Sequence, residues 1–161
     1  MNETLKEAKE YLKENHEKGT QCPCCGQHVQ LYRYPLFATS AVALTDLYKI
    51  TLETKSEYHH ISKFAEARKG KSRAPHFAEL RFWEFIEAKD TKTKDTNTSG
   101  LWNVTNKGIQ FIKNLILVPK YIHIYNNRFY RFSGEKIDIK KAFGNKFNYN
   151  EIMNLLPINQ F

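Results

Sequence analysis

The stretch "SGLWNVTNKGIQFI", residues 99–112, decides how the fold is read. Ser-Gly signals a turn, and Leu101, Trp102, Val104 and Thr105 favour a strand. Thr105 can then cap a helix, its hydroxyl accepting from a backbone N–H that the first turn leaves free. Ile109, Phe111, Ile112, Leu115 and Ile116 give that helix an apolar face. The return strand of a hairpin, running straight into a helix, is the expectation.

Upstream, "TSAVALTDLYKITLET" (39–54) has apolar residues at helical spacing on a wide face. "EYHHISKFAEARKG" (57–70) predicts a second, shorter helix. "APHFAELRFWEFIEAK" (74–89) predicts a third, with Pro75 in its first turn and Phe77, Leu80, Trp83, Phe85 and Ile86 buried. The polar run "KDTKTKDTNTSG" (89–100) then leads into the opening stretch. Three helices, a strand, a polar loop, a strand and a helix follow one another in that order.

This order resembles the winged-helix family of helix-turn-helix proteins. "LRFWEFI" (80–86) is similar to the close of that family's recognition helix. "WNVTNKG" (102–108) is similar to its return strand, of pattern Tyr-x-Leu-Thr-x-x-Gly. Glu84 departs from the pattern, which often has glycine there. The resemblance implies an α+β chain with a winged-helix domain over 36–114, in which the third helix reads nucleic acid and the polar loop is the wing. Residues 1–35 form an N-terminal helix and cysteine knuckle, and 115–161 a basic β-hairpin and C-terminal helix. More loosely, the whole chain resembles a group of small phage and prophage proteins. "CPCCG", "VPKYIHIYNN" (118–127) and "AFGNKFNYNEIM" (142–153) carry that likeness. It implies a viral accessory protein, with anti-defence roles among the candidates, and brings no activity with it.

The charge supports an anionic partner. Five basic residues balance five acidic ones over 1–34, but 63–94 carries nine against five and 107–147 nine against two. The net charge is +8, with its surplus in the second half. "ARKGKSRAPH" (67–76) sets Arg68, Lys69, Lys71, Ser72, Arg73 and His76 where a helix start would meet phosphate, and Lys92 and Lys94 lie on the wing. A solvated charge run is the plainer alternative for these lysines and arginines. Nucleic acid is the expected partner; a host protein is the rival, since winged helices also bind proteins.

All three cysteines fall in "CPCCGQH" (22–28), with Cys22 and Cys25 in C-x-x-C spacing and Pro23 and Gly26 suited to a tight turn. A closed zinc site needs four ligands, and no second C-x-x-C exists. Cys24, His28 and His16 are local candidates; a metal shared by two chains in a homodimer would also complete the set. A knuckle that survives only as a turn is the alternative.

At the N-terminus, "KENHEKG" (13–19) closes a helix expected over 4–18, with Thr4 and Glu7 at capping-box spacing. "KYIHIYNNRFYRFSGEKIDI" (120–139) predicts a hairpin turning at Asn126-Asn127, followed by helices near 139–143 and 149–156. No signal-peptide core opens the chain, and its apolar runs are too short to cross a membrane, so a cytoplasmic protein is expected. "EARKGKS" lacks the first glycine and preceding strand of a phosphate-binding loop. His59-His60 lacks the partners of a nuclease metal site and reads as a surface or interfacial pair. A non-enzymatic role is the expectation.

Overall fold

A computed structural model describes residues 4–60, 76–89 and 100–157, which form two compact units. The first comprises Met1–Pro35 with Tyr121–Ser133; the second comprises Leu36–Lys120 with Gly134–Phe161. The chain is mixed α+β, built of short antiparallel sheets and helices.

In the first unit, helix α1 (Leu5–Asn15) opens on the expected capping box. Thr4 Oγ1 accepts from the Glu7 N–H, and Glu7 accepts from the Thr4 N–H at 2.7 Å. Strands β1 (Thr20–Gln21) and β2 (His28–Val29) pair antiparallel and hold the cysteine loop between them. Strand β3 (Tyr32–Pro35) pairs with β7 (Val118–Tyr125), Tyr32 facing Ile124 and Arg33 facing His123. Strand β8 (Arg128–Ile137) lies on the other side of β7, at the sheet's edge. Asn126 and Asn127 turn the hairpin with φ of 50° and 61°, the left-handed pair that a two-residue turn matched to strand twist requires.

The second unit is built on helix α2 (Ala38–Thr54). Residues 40–45 are all buried, more than one face of a helix can hold, because neighbours cover it on several sides. Strands β4 (His59–His60), β6 (Leu101–Val104) and β5 (Ile86–Ala88) form a sheet in the order β4–β6–β5. Helix α3 (Asn106–Ile112) follows β6 with Thr105 as its cap, the Gly108 N–H donating to Thr105 Oγ1 at 3.1 Å. Helix α4 (Ile139–Phe143) packs on α2, and α5 (Tyr149–Asn154) packs on α4. The residues after 115 are divided between the two units.

Two sequence expectations are corrected. The third helix is one short 3-10 helix, Phe77–Trp83, followed by a strand. Its buried residues, Phe77, Leu80 and Trp83, recur every third position, the period of a 3-10 turn. Glu84 then turns left-handed at φ 62°, and Phe85 and Ile86 enter the core from the strand side. The second helix does not begin at residue 57 either. His59 and His60 pair with Trp102 and Leu101 as a strand, and residues 61–70 lie outside the described residues. His59 is buried and His60 half-buried; the His59 Nε2–H donates to Ser56 O at 2.8 Å.

Candidate functional site

The hairpin junction is where the opening stretch acquires its shape. The Phe85 carbonyl accepts from the Thr105 N–H at 3.0 Å, and the Thr105 hydroxyl donates to Glu84 O at 2.5 Å. One threonine thus ties the end of β6 to the turn before β5 and still caps α3. Gly108 packs so closely that an added Cβ would lie 2.4 Å from Phe85 O. Trp83 donates its indole N–H to Pro119 O at 2.8 Å and stacks beside Phe85, which in turn stacks on Phe111 at 4.6 Å. This aromatic column fixes the hairpin to the helices.

Of the expected nucleic-acid contacts, Arg68, Lys69, Lys71, Ser72, Arg73, Lys92 and Lys94 lie outside the described residues. His76 is described. It precedes the 3-10 helix, stacks on Phe37 at 4.5 Å and stands 3.5 Å from Glu79, so it is half-buried instead of facing freely outward. Arg81 is the exposed cation of that helix, lying over the Phe82 ring. Lys89 lies 5.7 Å above the Tyr58 ring.

The first unit presents a second surface that mixes cations with aromatic rings. Arg33 lies 4.6 Å over the Tyr121 ring, and Tyr32 and Tyr34 stack at 6.4 Å. Arg131 pairs with Glu17 at 2.6 Å. Tyr32, Phe129, Tyr130 and Phe132 are exposed. Stacking on such rings is how single-stranded nucleic acid is held without sequence preference. A cleft of about 250 Å³ lined by Gln27, Gln30, Tyr32, Tyr125 and Asn126 offers amides beside rings. Two features here were missed from sequence. His16 is buried with the Tyr125 and Tyr130 rings edge-on to it, and His123 Nε2 meets Ser133 Oγ at 2.5 Å. Burial, aided by the nearby Arg131 and Arg33 charges and opposed by Glu17, lowers the His123 pKa.

The cysteine loop is a tight knuckle. The Cys22 N–H donates to Gln27 O and the Gly26 N–H to Cys22 O, both at 2.8 Å, with Gly26 at φ +73°. Hydrogen bonding from the backbone N–H groups of Cys25 and Cys24, and from both their thiols, holds the Cys22 pKa below the ordinary thiol value. Cys22 is half-buried; Cys24 and Cys25 are exposed. His28 is bonded through Nε2 to Gln30 Oε1 at 3.1 Å, and His16 sits in its aromatic pocket. Among the described residues, no group of three or more His, Cys, Asp or Glu converges to hold a metal ion.

No helix among the described residues is long and apolar enough to cross a membrane. No protein-family model, curated protein or solved structure matches the chain.

Proposed function

We propose that the protein is a winged-helix nucleic-acid-binding protein of the phage accessory type, acting by binding and not by catalysis. The observation that carries this is the sheet order β4–β6–β5. A long helix, a short strand, a helical turn and two strands of which the later takes the middle of the sheet follow the order of those parts in a winged helix. In sequence the lysine-bearing segment 90–99 falls between β5 and β6, as a wing does in that family. The charge of +8 and its concentration after residue 63 support an anionic partner. Arg68, Lys69, Lys71, Ser72 and Arg73, with Lys92 and Lys94 on the wing, are the proposed phosphate contacts; His76, held by Phe37 and Glu79, has at most a supporting role.

Binding to a short DNA duplex and to a single strand, each measured over a series of salt concentrations, tests this. Log affinity should fall linearly with log salt. Lys71→Ala with Arg73→Ala should reduce the slope by about 2, roughly one per phosphate contact, without altering the thermal melt. Unchanged affinity and slope in a normally folded double variant would remove the proposal.

One observation favours a second reading, a viral module that binds a host or defence protein. Strand β8 is an edge strand carrying exposed Phe129, Tyr130 and Phe132, a surface that a partner's strand could extend. A stoichiometric protein complex that survives nuclease, together with no nucleic-acid shift, would support it.

A further inference from the structure

The cleft of about 250 Å³ in the first unit is lined without any Asp, Glu, Lys or Arg. Tyr32 and Tyr125 supply ring faces, Gln27, Gln30 and Asn126 supply amides, and the buried Val29 lies among them. We propose that this cleft takes one unpaired base of a single-stranded nucleic acid. It uses none of the phosphate contacts proposed above and so adds a second, chemically different site. A side-chain amide both donates and accepts, as the edge of a base does, whereas a phosphate or an ammonium group would call for an opposite charge. Gln30 Oε1 already meets His28 Nε2 at 3.1 Å, which leaves the Gln30 amide N–H groups to donate. The volume is just under the roughly 300 Å³ at which sites for drug-sized ligands begin, so it fits one ring system.

The walls are set by the strands. His28 and Val29 pair with Gln21 and Thr20, and Tyr32 pairs with Ile124, the neighbour of Tyr125. The buried His16 ring stands edge-on to Tyr125 at 6.3 Å, and Asn126 is fixed in the two-residue turn at φ 50°. A site held in this way loses less freedom when it binds. Amides beside rings would suit other neutral rings, and it is the surrounding charge that selects a nucleic acid. Residues 27–35 and 121–133 contain Arg33, Arg128 and Arg131 and no acidic residue. Arg131 is paired with Glu17, Arg33 lies over the Tyr121 ring, and Arg128 is exposed. Beyond the turn the chain enters β8, where Phe129, Tyr130 and Phe132 are exposed. A strand with one base in the cleft thus finds cations for its phosphates and rings for its neighbouring bases, the combination that holds single strands.

The test titrates the full chain with a single-stranded oligonucleotide of about 10 nucleotides, with the same sequence as a duplex, and with a free nucleoside. In NMR spectra the side-chain amide signals of Gln27, Gln30 and Asn126 should move with the single strand. The duplex and the nucleoside should leave them in place at the same concentration. Tyr32→Ala should weaken single-strand binding about 5–150-fold, the effect of one lost stack, and leave duplex binding unchanged. Tyr32→Phe, which keeps the ring, should bind nearly as the parent does. The His16 imidazole signals, which sense the Tyr125 and Tyr130 rings, check that the first unit of each variant is folded. Amides that stay in place with the single strand would overturn the proposal and leave the exposed rings of β8 to a protein strand. A nucleoside as effective as the strand, undiminished binding by Tyr32→Ala, or equal losses on single strand and duplex would each overturn it too. Lys71→Ala with Arg73→Ala tests the winged helix on the duplex, so either reading can fail while the other stands.

Discussion

Gly108→Ala should destabilise the second unit, although Gly108 sits in the first turn of a helix. In an open helix, alanine in place of glycine gains roughly 0.8–1.0 kcal/mol. Here the new Cβ would lie 2.4 Å from Phe85 O, 3.1 Å from Phe85 C and 3.0 Å from Val104 Cγ2. The nearest atoms are backbone, so no side chain can swing aside. Phe85 O also accepts from the Thr105 N–H, and Phe85 itself is fully buried between Trp83 and Phe111. Overpacking costs about 1–3 kcal/mol. Weakening the junction hydrogen bond adds about 1 kcal/mol. After the helix gain is subtracted, a net loss of roughly 1–3 kcal/mol remains. For a chain of this size that corresponds to a fall in melting temperature of about 2–12 °C. Tryptophan fluorescence is the right readout, as both tryptophans lie in the second unit. Lys107→Ala, which removes only an exposed pair with Glu84, serves as the control and should change stability by less than about 1 kcal/mol. A Gly108→Ala protein as stable as the parent, or more so, would refute the close-approach argument.

Glu84→Gly should stabilise the same unit by about 1 kcal/mol, since a non-glycine residue is strained at φ 62° and the lost pair with Lys107 is exposed. Differential scanning calorimetry should record a higher melting temperature; a lower one would count against strain at this turn. His123 should titrate below its ordinary value of about 6.5 in an NMR imidazole titration. Because its folded pKa is the lower one, the unfolded chain binds the proton more readily. The stability this histidine contributes is complete above about 6.5 and declines as pH falls from there toward the folded value. A midpoint at or above 6.5 would show that burial does not govern this ring.

What could be read from the sequence was local. Thr4 with Glu7, Thr105 with Gly108 and Asn126 with Asn127 each act within a few residues, and each adopts the cap or turn its chemistry favours. The segment from Phe77 to Ile86 was misread because Phe85 and Ile86 also fit a helical apolar stripe. Only the left-handed turn at Glu84 separates the two periodicities, and glutamate gives no signal of that. The burial of His59 has no signal nearby in sequence, because it depends on a strand partner, Trp102, far along the chain. The facing of Arg33 and His123 could not be seen for the same reason. Of the candidate site, the cysteine turn was legible, while the ring packing around His16 required the end of α1 to meet the distant hairpin that carries Tyr125 and Tyr130.

The pairing of β3 with β7 has a consequence for how the protein is made. Tyr32 faces Ile124, 92 residues later, so the amino-terminal strand leaves the ribosome long before its partner exists. At about 5–20 residues per second, that interval lasts roughly 5–20 s. During it, the Thr20–Val29 hairpin can close on its own, since its strands are neighbours in sequence, but Tyr32 and Tyr34 have no sheet to join. A nascent chain stalled before residue 118 should therefore expose this aromatic segment to chaperones or to another copy of itself. Translation speed through the middle of the message would then influence how much of the protein reaches its native pairing.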